Sequence, residues 1–393
     1  MSRPAVDRSD FAELVATRRD LHAHPELGFA ERRTSALVAD RLRALGYTVK
    51  TGLGRTGVVG TMRGGATVSR AERKVLLRAD MDALPVQEAG DAPYRSTVPG
   101  VMHACGHDAH VAIALAVARR LADARAEWRG MVKLVFQPAE ESGAGAQAMI
   151  DDGVLDAPAV DAAFGLHVIS HLPTGTIAAT AGAVMGSVDN FTVRIAGKGG
   201  HAAMPQDAVD PVLAAAHVVT ALQSLVSRGA DPFDQLVVSV TRIAAGTTSN
   251  VIPEHAELEG TVRTLGGALH VEVPDRFTAL VRSVAGALGC TATVAYARQT
   301  PPVVNDEAMT ALVAGAAAGI VGEPNVLRNA RMLGGEDFAC FLQRVPGCFA
   351  WVGCGNAEKG VGAPHHSPRF DIDEEAMLIG AELLERVTRE YLR

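Results

Sequence analysis

The sequence predicts an α/β protein: a mostly parallel sheet sandwiched by helices, interrupted by a smaller α+β module. Three observations carry this. In the first half, short aliphatic, β-branched runs alternate with stretches of helical spacing, the rhythm of βαβ units. Around residue 187 the runs become alternating and half-polar, as in strands with one solvated face. After Pro301-Pro302 helical patterns and Gly-rich turns return. A chain of 393 residues is too long for one compact core, so it divides into a first segment (1–186), an insert (187–298) and a closing segment (299–393) that completes the first domain.

The elements follow in order. Residues 10–22 and 32–45 place apolar side chains at helical spacing. Lys74–Arg78 (KVLLR), Met131–Phe136 (MVKLVF) and Ala162–Val168 (AAFGLHV) read as buried strands. Ala109–Leu121 has the apolar run and late Arg119-Arg120 of a helix lying on a sheet. In the insert, Asp189–Ile195, Gln235–Ile243, Ala256–Arg263 and Thr291–Ala297 alternate, with helical stretches near 209–228 and 274–289. The closing segment offers an Ala-rich patch at 311–318 and an amphipathic helix over about 372–391.

Composition excludes several classes of partner. The formal net charge is −7 and no dense Lys/Arg tract occurs, which argues against nucleic acid and for a small molecule. No apolar run reaches bilayer length and the start lacks the apolar core of a secretory signal, so no membrane partner is expected and the cytoplasm is the expected location. Five cysteines, widely spread and without CxxC, do not make a disulfide scaffold or zinc ribbon. Only Cys105 stands among other potential ligands.

That cysteine lies in VMHACGHDAH, residues 101–110, ahead of the Ala109–Leu121 helix. A helix N-terminus favours thiolate character and Gly106 admits close backbone approach, so a metal site and a cysteine nucleophile both fit. The bland alternative is that Asp108 caps the helix and the histidines are incidental. Neighbouring clusters decide between them. Glu140-Glu141 follow a strand in a tight loop, and two adjacent carboxylates there repel unless a cation relieves them. His167 ends an apolar strand and His365-His366 precede Ser367-Pro368. With Cys105, His107 and Glu141 these form a mixed N/O/S set suited to zinc, manganese, cobalt or nickel, and too large for one tetrahedral ion, so two ions sharing a bridge are expected. If Glu141 is a ligand, Glu140 is left as general base, and Asp82 is placed to orient a ligating histidine, His107.

These residues, in this order, resemble the aminoacylase and carboxypeptidase amidohydrolases with paired metals, above all the branch of hippurate hydrolases, N-acyl-amino-acid amidohydrolases and auxin-amino-acid conjugate hydrolases. The resemblance runs nearly end to end: His22-Ala23-His24-Pro25-Glu26-Leu27-Gly28, RADMDALP at 78–85, HACGHDAH at 103–110, QPAEE at 137–141, GLHV at 165–168, GKGGHAAMP at 197–205, TSNVIP at 248–253, GGEDF at 334–338 and HSPRFDIDE at 366–374. It implies a zinc-exopeptidase-like catalytic domain whose Cys105 bridges two divalent ions, zinc or manganese, with His107, Glu141, His167 and His366 as further ligands and Glu140 as the base. His365 has no role in it. Asp80 stands where the peptidase branches carry a histidine ligand, which leaves its role open. The insert is implied to be a lid that dimerises, with His201 reaching the partner's active site to polarise the scissile carbonyl. Asn250 and Arg263 are candidates for holding the substrate, Arg263 because a guanidinium pairs bidentately with a carboxylate.

The expected reaction is hydrolysis of the amide bond of an N-acyl amino acid by water activated at the metals. Rival readings are a cysteine hydrolase using Cys105 and His107, a zinc deaminase, whose combination of H-x-E with P-C-x-x-C is absent because the chain has no P-C-x-x-C, and a non-catalytic binding protein on the same fold.

Overall fold

The computed structural model describes residues 8–66 and 72–393; residues 1–7 and 67–71, within the segment read as 1–186, lie outside the described residues. The chain divides into two compact units, one of Met1–Val184, Val304–Arg331 and Asp337–Arg393, the other of Met185–Val303 and Met332–Glu336. No helix among the described residues is long and apolar enough to cross a membrane.

The first unit is built on an eight-stranded sheet in the order Thr48–Leu53, Gly57–Arg63, Met131–Gln137, Lys74–Asp80, Ala162–Pro173, Gly347–Gly355, Ile177–Ala178, Val326–Leu327. Its four central strands, Met131–Gln137 to Gly347–Gly355, run parallel. An antiparallel hairpin, Thr48–Leu53 with Gly57–Arg63, closes one rim. Alternation along the central strands decides what each face carries. Val75, Leu77, Ala79, Val132, Leu134, Phe136, Phe164, Leu166 and Val168 join one apolar core with Ile113, Val117 and Leu121 of helix His107–Asp123 and with helix Glu375–Leu392. Each such fully buried aliphatic side chain contributes about 1.5–3 kcal/mol. The intervening positions, Arg78, Asp80, Gln137 and His167, therefore project from the opposite face.

Register places these polar residues together. Asp80 pairs with Gln137, and Arg78 with Gly165 two positions before His167. His167 does not end its strand as the sequence suggests. The strand runs on to Pro173 because Gly347–Gly355 pairs with it as far as Gly355↔Pro173. That partner strand, GCFAWVGCG, is wholly buried; its glycines and lack of polar alternation hid it in a segment read as helices and turns.

The second unit is a four-stranded antiparallel sheet in the order Leu236–Ala245, His255–Thr264, Val188–Ala196, Thr291–Thr300. Helices Pro211–Ser224 and Gly267–Ala287 cover it, and Phe191, Val193, Leu258, Val218 and Phe277 share its core. Helix Pro211–Ser224 starts where Asp210 accepts from the Val212 and Leu213 amides, with proline at the first turn. Helix Gly267–Ala287 begins seven residues before the position expected from Pro274, which lies inside it. A proline there cannot bond the carbonyl four residues back. Arg298 Nη2 serves that carbonyl instead, donating to His270 O at 2.9 Å and Val271 O at 3.1 Å.

Candidate metal centre

Three turns deliver the site in the first unit. Strand Lys74–Asp80 ends at Asp80 and leads to Asp82, strand Met131–Gln137 leads to Glu140 and Glu141, and Gly106 starts the helix carrying His107. Gly106 has φ 92°, and a Cβ there would meet Val168 Cγ2 at 2.5 Å, so only glycine fits. Ala139 (φ 51°) and His366 (φ 66°) hold left-handed backbone that costs a non-glycine residue about 1 kcal/mol or more. Both strained positions aim side chains or neighbours at the same point.

Asp82 organises the turn. Its Oδ1 accepts from the Glu140 amide at 3.0 Å, its Oδ2 from the Glu141 amide at 3.1 Å, and its main-chain oxygen from His107 Nδ1 at 2.9 Å. It thus orients His107 chiefly through the backbone, while its carboxylate locks the two glutamates.

Hydrogen bonds sort the histidines by which nitrogen carries the proton. His107 donates Nδ1–H to Asp82 O, and His167 donates Nδ1–H to Val168 O at 2.7 Å. With Nδ1 spent on the backbone, each ring turns its Nε2 into the site, as a lone pair once that nitrogen gives up any proton. His110 and His365 are the reverse: Nε2 of His110 accepts from the Val168 amide at 3.0 Å and Nε2 of His365 from the Ser170 amide at 3.2 Å. Their protons sit on Nδ1, facing Asp80 Oδ1 at 2.6 Å and Cys105 Sγ at 3.7 Å.

The lone pairs converge on one another. Cys105 Sγ lies 3.5 Å from His167 Nε2, His366 Nε2 lies 3.4 Å from Glu141 Oε2, and His107 Nε2 lies 3.9 Å from Glu140 Oε2 and 4.0 Å from Glu141 Oε1. Cys105 with His107 and His167, Cys105 with Glu141 and His366, and His107 with Glu140 and Glu141 each bring their ligand atoms within 4.8 Å. His107 Nε2 and Glu141 Oε1 are buried without a hydrogen bond. Buried acceptors facing acceptors are costly unless a cation lies between them. The sulfur, imidazole and carboxylate donors suit divalent zinc or a similar transition ion.

Charge follows the same geometry. Burial opposes a proton on His107, yet Asp80 and Asp82 hold its pKa well above the usual histidine value. Burial, reinforced by Glu141, pushes the Cys105 thiol well above its ordinary value. A cysteine nucleophile needs the opposite shift. Both protons are ones a cation displaces on binding.

Both carboxylate oxygens of Asp80 are already hydrogen-bonded. Its Oδ2 accepts from Arg78 Nη1 at 2.6 Å while Oδ1 takes the His110 proton, and Arg78 reaches on to Gln137 at 2.9 Å and Asp337 at 3.0 Å. Asp337 in turn accepts from the Ala146 amide at 2.9 Å, bracing the glutamate loop. Arg78 and Asp337 lie in the motifs RADMDALP and GGEDF, but nothing in either motif reveals that they pair.

Asp108 caps nothing. It is buried and paired with Arg18 Nε at 2.9 Å and His22 Nδ1 at 2.8 Å. His365, which the family resemblance left without a role, stands against Cys105; its adjacency to His366 was the one available signal. His201, Asn250 and Arg263 are carried by the second unit. There His201 is exposed on a short strand paired with Val251–Ile252, its Nδ1 accepting from the Ala203 amide at 3.0 Å, and the Ala202 amide donates to Asn250 O at 3.1 Å. Arg263 is half-buried on strand His255–Thr264, opposite Val237.

Comparison with known proteins identifies the family. The model of peptidase family M20/M25/M40 matches residues 76–390. The IAA-amino acid hydrolase ILR1-like 4 of Arabidopsis thaliana is 40% identical over 390 residues, 98% of this chain and 87% of its own. An N-acetylcysteine deacetylase of Bacillus subtilis is 39% identical over 383 residues, 96% of each chain. The crystal structure of the YXEP protein of Bacillus subtilis, described as a dinuclear metal binding peptidase from the M20 family, superposes with a TM-score of 0.85 at 35% identity, covering 98% of this chain and 99% of that one. The chain belongs to peptidase family M20/M25/M40 and is a metal-dependent amidohydrolase of that family.

Proposed function

We propose that the protein hydrolyses the amide bond of N-acyl amino acids, with acetyl, benzoyl or indole-acetyl groups as the acyl classes to test, using two divalent ions held by Cys105, His107, Glu141, His167 and His366. The observation that supports this most is the convergence of imidazole nitrogen, sulfur and carboxylate oxygen, the ligand atoms of Cys105, His107 and His167, of Cys105, Glu141 and His366, and of His107, Glu140 and Glu141 each lying within 4.8 Å of one another. Zinc or manganese suits the donors, and cobalt or nickel are compatible. When bound, the ions supply Lewis acidity, polarising the amide carbonyl and acidifying water.

Glu140, held by its amide on Asp82, takes one proton from the attacking water as the oxygen bonds to the carbonyl carbon. The same carboxyl returns that proton to nitrogen as the C–N bond breaks, releasing a carboxylic acid and an amine. No acyl-enzyme forms. We assign His201 to polarising the scissile carbonyl, contributed by the second subunit of a homodimer, and Asn250 and Arg263 to the substrate's polar end. A reducing, cytoplasmic setting fits five free cysteines.

The test is a panel of N-acetyl, N-benzoyl and indole-acetyl amino acids assayed with chelator and with zinc or manganese restored. Chelator-abolished, metal-restored hydrolysis is expected. Chelator-resistant hydrolysis with a trapped acyl-enzyme would instead establish the cysteine mechanism.

A further inference from the structure

His365 is left over from the ligand set, yet it is held as firmly as the ligands. Its Nε2 accepts the Ser170 amide proton at 3.2 Å. Its ring meets His167 edge-on with centroids 5.2 Å apart and lies against Phe370 at 4.8 Å. An amide hydrogen cannot be accepted by a protonated nitrogen, so a neutral His365 carries its only proton on Nδ1. That proton faces Cys105 Sγ at 3.7 Å, within reach of sulfur as an acceptor.

We propose that His365 is a positioning residue that donates an Nδ1–H···S hydrogen bond to Cys105, fixing the sulfur's direction and drawing off part of the negative charge it presents to the metals. The inference rests on Cys105 being a ligand. His365 is not a ligand itself: its outward nitrogen is a donor, and its other nitrogen is spent on the backbone. The arrangement repeats the logic of His110, whose Nδ1–H restrains Asp80 at 2.6 Å. One histidine of each kind thus serves the site by giving a proton, where His107 and His167 serve it by withholding one. Hydrogen bonds to ligating atoms orient them and tune the metal, and their loss typically weakens metal binding about 10–100-fold.

The test separates ring shape from proton. His365→Phe keeps the planar ring and removes the donor; His365→Asn shrinks the side chain but keeps an N–H near the Nδ1 position. Each variant and the parent are loaded with cobalt(II), and the sulfur-to-cobalt charge-transfer absorption is recorded, beside zinc affinity by competition with a chromogenic chelator. A sulfur stripped of its hydrogen bond is more easily oxidised, so the band should move to longer wavelength in His365→Phe and stay near the parent's in His365→Asn. Zinc should be held at least about tenfold less tightly by the Phe variant. An unmoved band in His365→Phe, or equal shifts in both variants, overturns the proposal, and should the Phe variant not fold, a displaced band in His365→Asn does the same. Absence of any sulfur band in the parent would instead remove Cys105 from the metal, and the reading of the site with it.

Discussion

The stretch from His103 to His110 serves two polar clusters that obey opposite rules. On one side Asp108 is clasped by Arg18 and His22, with Glu88 on His22 at 3.4 Å and Asp371 on Arg18 at 2.7 Å. Cations meet anions there: burial disfavours charge on His22, but Asp108 keeps its pKa raised, and Arg18 holds Asp108 far below the carboxylate range against burial. On the other side Cys105, His107, Glu141, His167 and His366 bring sulfur, imidazole nitrogen and carboxylate oxygen within ligand distance of one another, and the protons on Cys105 and His107 are held there by burial and by Asp80 and Asp82 respectively. The first cluster pairs each charge with its opposite, although Asp108 Oδ1 is left without a hydrogen bond; the second gathers donors that suit a cation. Composition alone does not separate them, since both are rich in histidine and carboxylate. Proton placement does.

The comparison can be broken most severely at Glu140. Glu140→Gln removes the base while leaving its amide on Asp82, so kcat should fall about 10²–10⁴-fold with metal content and melting temperature near the parent's. Comparable activity would take Glu140 out of the mechanism, and lost metal would make it a ligand.

Next comes the closed cluster. Arg18→Met leaves Asp108 buried without its guanidinium and should destabilise even the metal-free protein by about 3–5 kcal/mol, read by denaturant unfolding. A change under about 1 kcal/mol would mean the pairs are not a structural tie.

His103 sharpens the boundary between the two sides. It is buried, neither ring nitrogen has a hydrogen bond among the described residues, and burial lowers its pKa to about 4 from 6.5, with Asp108 opposing. As pH falls through 6.5 the unfolded chain takes up a proton that the folded one refuses, so stability declines down to about pH 4 and levels below. His103→Leu should erase about 3 kcal/mol of that loss between neutral pH and pH 4. Parallel pH profiles for parent and variant would show that His103 titrates freely.

The smallest effect is expected at Cys105. In metal-free protein Cys105→Ala breaks no ion pair and should change stability by roughly 1 kcal/mol or less, whereas added zinc should raise the parent's melting temperature and not the variant's. Equal stabilisation of both would place the ion elsewhere.

What could be read beforehand follows the reach of each rule. Period-2 and helical patterns need only neighbours in sequence, so the strands at Lys74 and Met131 and the helix after Gly106 were legible, as were the candidate residues Cys105, His107, Glu140, Glu141, His167 and His366 that the fold gathers into overlapping clusters. The strand Gly347–Gly355 was not, because burial on both faces removes the alternation that announces a strand. Asp108 looked like a cap because capping is local, while its true partner Arg18 lies ninety residues away. His365 and Asp80 were opaque for a related reason: their roles depend on which ring nitrogen a distant backbone amide occupies, and that is a property of the assembled sheet.

X-ray absorption at the zinc edge of the metal-loaded protein tests the central claim most directly. Sulfur at about 2.3 Å together with nitrogen and oxygen near 2.0–2.2 Å is the expected shell, with the sulfur lost in Cys105→Ala. A shell of nitrogen and oxygen alone in the parent protein would contradict a cysteine-ligated centre.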